Sequence, residues 1–214
     1  MTIKKSSLLA ISLSLCFVLA ISQMALGQAN LVQNPGFEDA TNAPWTMWVE
    51  GKDAGAAAEM IIDDSESIVG NQSMLINITA AGADEKRVEL HQKPFIATNG
   101  DVFTYAVWAK TESGKTRTAS LRSNERADPW TTYGSKDIEI TDQWTEFWTP
   151  VEMTADSVNL GIYVELKDTP APARVWFDNF RLYLGDYVPE DIGPAAVAPH
   201  GKSTSTWAAI KSAL

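Results

Sequence analysis

Between Gln28 and Tyr187 no stretch of the chain sustains a helical period, while apolar residues recur at alternate positions in one short run after another. The clearest run places Val158, Leu160, Ile162, Val164 and Leu166 on one face and Asn159, Gly161, Tyr163 and Glu165 on the other. A Pro-rich turn separates it from a second strand, Arg174 to Leu184, where Asp178 stands among the bulky neighbours of VWFDNF. A carboxylate so placed needs a partner. The same alternation predicts strands at 45–50, 56–63 and 144–151, and around Met74 to Ile78. It turns Val88 and Leu90 inward against Arg87, Glu89 and His91. It turns Phe103, Tyr105, Val107 and Ala109 inward against Thr104, Ala106, Trp108 and Lys110. Ala119 and Leu121 face inward, with Arg122 and Asn124 outward. The opening stretch 29–38 reads as a short strand running into an Asn-Pro-Gly turn and closing the sheet. Roughly ten short strands with regular turn signals predict an all-β chain, an antiparallel two-sheet β-sandwich.

The first 27 residues carry Lys4 and Lys5, an apolar run from Leu8 to Ile21, and the small-residue ending Ala25-Leu26-Gly27. That is the pattern of a secretory signal peptide cleaved after Gly27, so the protein is expected to be secreted, at the cell surface or periplasmic. Cys16 is the chain's one cysteine and lies inside this leader, where Leu15 is too large for lipid attachment. The mature chain therefore enters an oxidising compartment with no disulfide, and its stability must come from its core and from a metal if one binds. Losing two lysines takes the formal charge from −10 to −12, which makes nucleic acid and anionic membrane poor partners. Residues 28–187 make one domain, and 188–214 form a linker-like tail whose end, 206–214, reads as a short helix.

The outward faces carry the candidate chemistry. Trp108 is unusual, because a large ring among Thr104, Ala106 and Lys110 reads as an open platform. Tyr163 and Glu165 form a ring-x-acid pair, and Arg87, His91, Arg122 and Asn124 share the outward phase. Trp48 and Glu50 repeat the ring-x-acid spacing, with the tryptophan equally suited to a core; Trp130 and Tyr133 sit in a turn-rich loop fit for a clamp. Pyranose rings stack their C–H faces on aromatic rings, and their hydroxyls take bidentate partners such as Glu, Arg and Asn.

Four segments in order, NLVQNPGFED, TYAVWAK, ITDQWTEFWTPVEM and VWFDNFRLY, give the chain its resemblance to secreted carbohydrate-binding modules of the four/nine type, relatives of the xylan-binding family-twenty-two modules. The resemblance implies a jelly roll of the galactose-binding-domain-like kind with a concave binding face, polysaccharide binding without catalysis, and often a structural calcium ion. It places Glu38 and Asp178 at the calcium, with carbonyls from the turn at Gly70 to Ser73, and Trp108, Tyr163 and Glu165 in the sugar groove. The expected partner is a polysaccharide, with neutral β-glycans such as xylan or glucan favoured by the negative charge. Two other readings stay open. One is a structural or adhesive surface module with an empty groove. The other is a jelly-roll lyase or hydrolase using Glu89, Glu165 or Asp128, since paired carboxylates are what glycoside hydrolysis requires.

Overall fold

The runs at 158–166 and 174–184 become the central strands of two different sheets. The computed structural model describes residues 29–52, 55–81, 87–167, 171–190 and 192; the expected leader, Cys16 and the helix predicted at 206–214 lie outside these. The strands are β1 (Thr46–Val49), β2 (Ala56–Asp63), β3 (Ser73–Ala81), β4 (Val88–Ala97) and β5 (Val102–Thr111). They continue with β6 (Arg117–Glu125), β7 (Thr132–Ile140), β8 (Thr145–Glu152), β9 (Ser157–Leu166) and β10 (Ala173–Leu184). Two five-stranded sheets result, ordered β1-β4-β9-β6-β7 and β2-β3-β10-β5-β8, with every pairing antiparallel. Among the described residues there is no helix.

The inward faces meet as expected, with Leu160, Ile162, Val164 and Leu166 packed against the opposite sheet's Phe103, Tyr105, Val107 and Phe177 in one core. Each such side chain contributes roughly 1.5–3 kcal/mol by leaving water. Val158 departs from the pattern and is 78% exposed, at the end of β9 where the register with β4 is broken by an irregularity between Phe95 and Ala97.

The opening stretch also departs. Residues 29–45 form turns rather than a strand. Asn34 and Phe37 take positive φ values of 46° and 62°, which bends the chain away from an extended path. What attaches it is a set of single bonds, Leu31 N–H to Leu182 O (2.8 Å) and Phe180 N–H to Pro35 O (2.9 Å), together with an aromatic cluster. Phe180 has no exposed surface and lies 4.2 Å from Trp45, 6.0 Å from Phe37 and 6.4 Å from Tyr105 between ring centroids.

Because Phe180 is the ring that all three contact, Phe180→Ala is expected to lower the unfolding free energy by about 3–5 kcal/mol. Val158→Ser in the exposed end of β9 should stay within about 0.5 kcal/mol of wild type. Urea denaturation followed by tryptophan fluorescence measures both.

Candidate functional site

The outward face of the first sheet is a groove of about 590 Å³ that crosses the strands from Trp48 on β1 to Trp130 in the loop between β6 and β7. Strand register builds its floor in rows. One row runs Trp48, Glu89, Glu165, Ser120 and Asp137; the next runs Thr46, His91, Tyr163, Arg122 and Ser135; a third sets Gly161 beside Asn124 and Thr132. Antiparallel neighbours opposite one another share a face, which is why residues scattered from 46 to 165 converge here. Five strands at about 4.8 Å spacing make the floor roughly 19 Å wide.

Charge is concentrated in the first row. Glu165 is 1% exposed, and such a buried carboxylate needs countercharge. Its Oε2 lies 3.5 Å from both Arg87 Nη1 and Arg122 Nη1, and its Oε1 lies 3.5 Å from Lys167 Nζ. Arg87 also donates from Nε to Glu50 Oε2 at 2.9 Å, and its guanidinium sits 5.5 Å from the Trp48 ring centroid. Burial pushes the Glu89 carboxyl up from its usual range; Arg126, 3.6 Å away, pulls it back and neighbouring Glu165 raises it further.

The rings differ in access. Trp48 is 41% and Trp130 54% exposed, one near each end of the groove. Tyr163 is buried on the floor, with the Arg126 guanidinium 5.0 Å over its ring and 5.8 Å from that of Trp130. Trp130 holds a φ of 60°, a conformation that costs about 1–3 kcal/mol for a bulky residue and that presents its ring at the groove. Several polar atoms lining this floor are buried without a protein hydrogen bond, among them His91 Nδ1, Arg122 Nε, Asn124 Oδ1 and Arg126 Nε.

Of the residues expected to bind sugar, Arg87, His91, Arg122, Asn124, Tyr163 and Glu165 all line the groove. Trp108 does not. It faces outward on β5, as its phase requires, but β5 belongs to the second sheet, where Trp108 stands opposite Asp178 and Glu146. Alternation assigns a side of a strand; it does not say which sheet the strand joins. Tyr133 is likewise no clamp, being 9% exposed and part of the core. Arg126 was missed, although it continues the two-residue phase of Arg122 and Asn124 beyond the end of β6.

Glu38 and Asp178 do approach one another, at a different place. An added Cβ on Gly36 would lie 3.3 Å from Asp178 Oδ1 and 3.9 Å from Glu38 Cγ. Asp178 Oδ2 accepts from the amides of Ile68 (2.9 Å) and Val69 (3.0 Å), and Glu38 Oε1 from those of Asn71 (2.8 Å) and Gln72 (2.9 Å). The 70–73 turn thus turns amides, not carbonyls, toward Glu38. Burial first, with the Glu38 charge adding to it, raises the Asp178 carboxyl to about 7 against its amide bonds. Gln72 Oε1 is buried without a partner. The two neighbouring carboxylates are hard oxygen donors of the kind calcium takes. Among the described residues no group of three His, Cys, Asp or Glu could hold a metal, so a cation here would draw on amide or backbone oxygens.

His91 provides a check on the floor's electrostatics. Burial, then the positive charges of Arg126 and Lys93, hold it at about 4, below its ordinary 6.5. Between those values the unfolded chain binds a proton at this residue that the folded protein refuses, so the His91 contribution to stability falls as pH drops from about 6.5 to 4. His91→Gln should remove that slope. At pH 4.5, relative to pH 7.5, the variant is expected to gain up to about 2 kcal/mol on wild type, measured by paired urea titrations.

The family model described as carbohydrate binding domain, CBM_4_9, matches residues 29–172. No curated protein matches the chain. Among solved structures, the CBM22-1 xylan-binding domain of Paenibacillus barcinonensis Xyn10C aligns with 77% of this chain and 99% of its own at 19% identity and a TM-score of 0.56. TmCBM61, solved with β-1,4-galactotriose, aligns with 73% of this chain and 99% of its own at 19% identity and a TM-score of 0.52. A cyclase from Fischerella sp. TAU shares the fold at 12% identity, covering 76% of this chain and 100% of its own with a TM-score of 0.57. With its two-sheet sandwich and the family match spanning most of the described domain, the chain belongs to the four/nine family of carbohydrate binding domains.

Proposed function

We propose that this protein is a secreted, non-catalytic polysaccharide-binding module that holds a β-glycan chain along the groove of its first sheet. The observation that carries this reading is the pair of exposed rings, Trp48 and Trp130, near opposite ends of a floor made of Arg, Glu, His and Asn side chains. Rings at the ends receive the apolar faces of sugar units, and the charged floor between them offers donors and acceptors to hydroxyls. A backbone of the xylan or glucan kind suits such a site. Family membership and the xylan-binding and galactotriose-bound neighbours support the ligand class.

The binding role is also favoured over hydrolysis by the state of the groove carboxylates. Glu89 and Glu165 are 7% and 1% exposed and already face arginine side chains, and Asp128 is not among the groove's lining residues. Carboxylates so engaged serve as acceptors for ligand hydroxyls. Among the described residues no helix is long and apolar enough to cross a membrane. Secretion rests on the leader at 1–27.

We propose in addition that Glu38 and Asp178 hold a structural calcium ion with help from Gln72. The ion would neutralise two adjacent carboxylates and tie the opening turn to β10.

Two measurements test these readings. In affinity electrophoresis through xylan, mixed-linkage β-glucan, laminarin and mannan, Trp48→Ala and Trp130→Ala should each weaken retardation by about tenfold, the worth of one lost ring contact. Trp108→Ala, on the opposite sheet, should migrate as wild type. Equal retardation of all four proteins would overturn the groove assignment, and reducing ends released from any polymer would overturn the non-catalytic one. For the metal, calcium should raise the melting temperature by several degrees over a chelated sample, and Glu38→Gln and Asp178→Asn should each abolish the rise. A wild-type melt indifferent to calcium would remove the ion from the account.

A further inference from the structure

The two ends of the groove differ in charge. At the first-row end the cations Arg87, Arg122 and Lys167 are matched by Glu50, Glu165 and Asp137. At the third-row end they are not. Gly161 has no side chain there, and the space is taken by Arg126, with Lys93 beside it. A Cβ on Gly161 would fall 2.5 Å from Arg126 Cγ and 3.6 Å from Lys93 Cβ, so the Arg126 stem crosses the floor there and the Lys93 side chain starts beside it, close enough for its charge to act on His91. The Arg126 backbone is fixed by its N–H bond to Asn159 O at 3.0 Å.

Compensation of these two charges is slight. Among the described residues the one carboxylate paired with Arg126 is Glu89, at 3.6 Å, beyond hydrogen-bonding distance, and Arg126 Nε has no hydrogen-bond partner. Lys93 is exposed and has no ion-pair partner among the described residues, and Asp128, two positions beyond Arg126, makes no ion pair either. The neighbouring imidazole of His91 feels both cations and stays neutral near pH 7, so it adds no charge but keeps its capacity to hydrogen-bond. In a chain with 27 acidic residues against 17 basic ones, a weakly compensated cationic pair at the edge of the ligand groove runs against the whole surface.

We propose that this end of the groove, Arg126 and Lys93 beside Trp130, is a carboxylate subsite, and that the ligand is a β-glycan bearing uronic acid units or side groups. The inference rests on the glycan-binding reading of the groove. A guanidinium offers a planar fork to a carboxylate while the ammonium adds a flexible point charge. Trp130 stacks on the sugar ring that carries the acid. Local focusing in a cleft lets such a pair attract an anion despite the protein's overall negative charge.

The test compares each of three uronate polymers, glucuronoxylan, alginate and polygalacturonate, with its own carboxyl-reduced form, by titration calorimetry on the mature protein. At least one acidic polymer is expected to bind about tenfold more tightly than its reduced form at about 20 mM salt, and the difference should collapse at about 300 mM. Lys93→Gln, at an exposed position, should weaken the acidic polymer about three- to fivefold and Lys93→Glu more, with the reduced polymer bound as by wild type. Equal affinity for acidic and reduced forms, or indifference to Lys93→Glu, would overturn the subsite while leaving the groove a neutral-glycan site. Failure to bind either form, or any neutral glycan, would overturn both readings.

Discussion

Everything in the groove depends on one buried charge. Glu165 sits at the centre of the first sheet with 1% of its surface exposed, and a carboxylate removed from water is tolerated only where opposite charge and donors surround it. Arg87, Arg122 and Lys167 reach it from just before β4, from β6 and from just past the end of β9. Their long stems and guanidinium planes then form the floor itself. Arg87 turns one face to Trp48, and Arg126 lies on Tyr163, so rings and cations interleave across the sheet. A floor assembled this way is stiff and polar at once. Its donors are held in place before any ligand arrives, which lowers the ordering cost of binding.

The sandwich gives this floor its support from behind. β9 carries Glu165 and Tyr163 outward and Leu160, Ile162, Val164 and Leu166 inward. β10 does the corresponding work in the other sheet, with Phe177, Phe180 and Leu182 in the core. Between β9 and β10 the chain passes from the middle of one sheet to the middle of the other. Asp178 follows Phe177 directly, which puts the carboxylate pair with Glu38 on β10 rather than in the groove. Ligand floor and candidate cation position are thus separate pieces of one framework, joined through the core.

Much of this was legible in the chain. Period-two alternation identified the inward residues of β3, β4, β5, β6 and β9 and placed Arg87, His91, Arg122, Asn124, Tyr163 and Glu165 outward. They meet because their strands share the first sheet. Trp108 had the same outward signal and went to the second sheet, because its strand pairs with β8 and β10. Tyr133 looked like a loop residue and became core, since β7 begins one position before it. Arg126 carried a usable signal in its spacing from Arg122 and Asn124. Its value depended on Gly161, thirty-five positions later, leaving room for it.

By itself, then, the sequence determined the strand content, the inward and outward faces of half the strands, and the family. The first two are local, because each follows from side-chain chemistry repeated at two-residue spacing within a single strand, while the family follows from four segments in order. Only the tertiary structure decided which outward faces form one surface, which tryptophans are open to a ligand, and where, among the described residues, two cations are left with little acidic compensation. These depend on strand order and register, set by hydrogen bonds between segments as far apart as Trp48 and Glu165. Nothing in the local pattern of either strand specifies its neighbour.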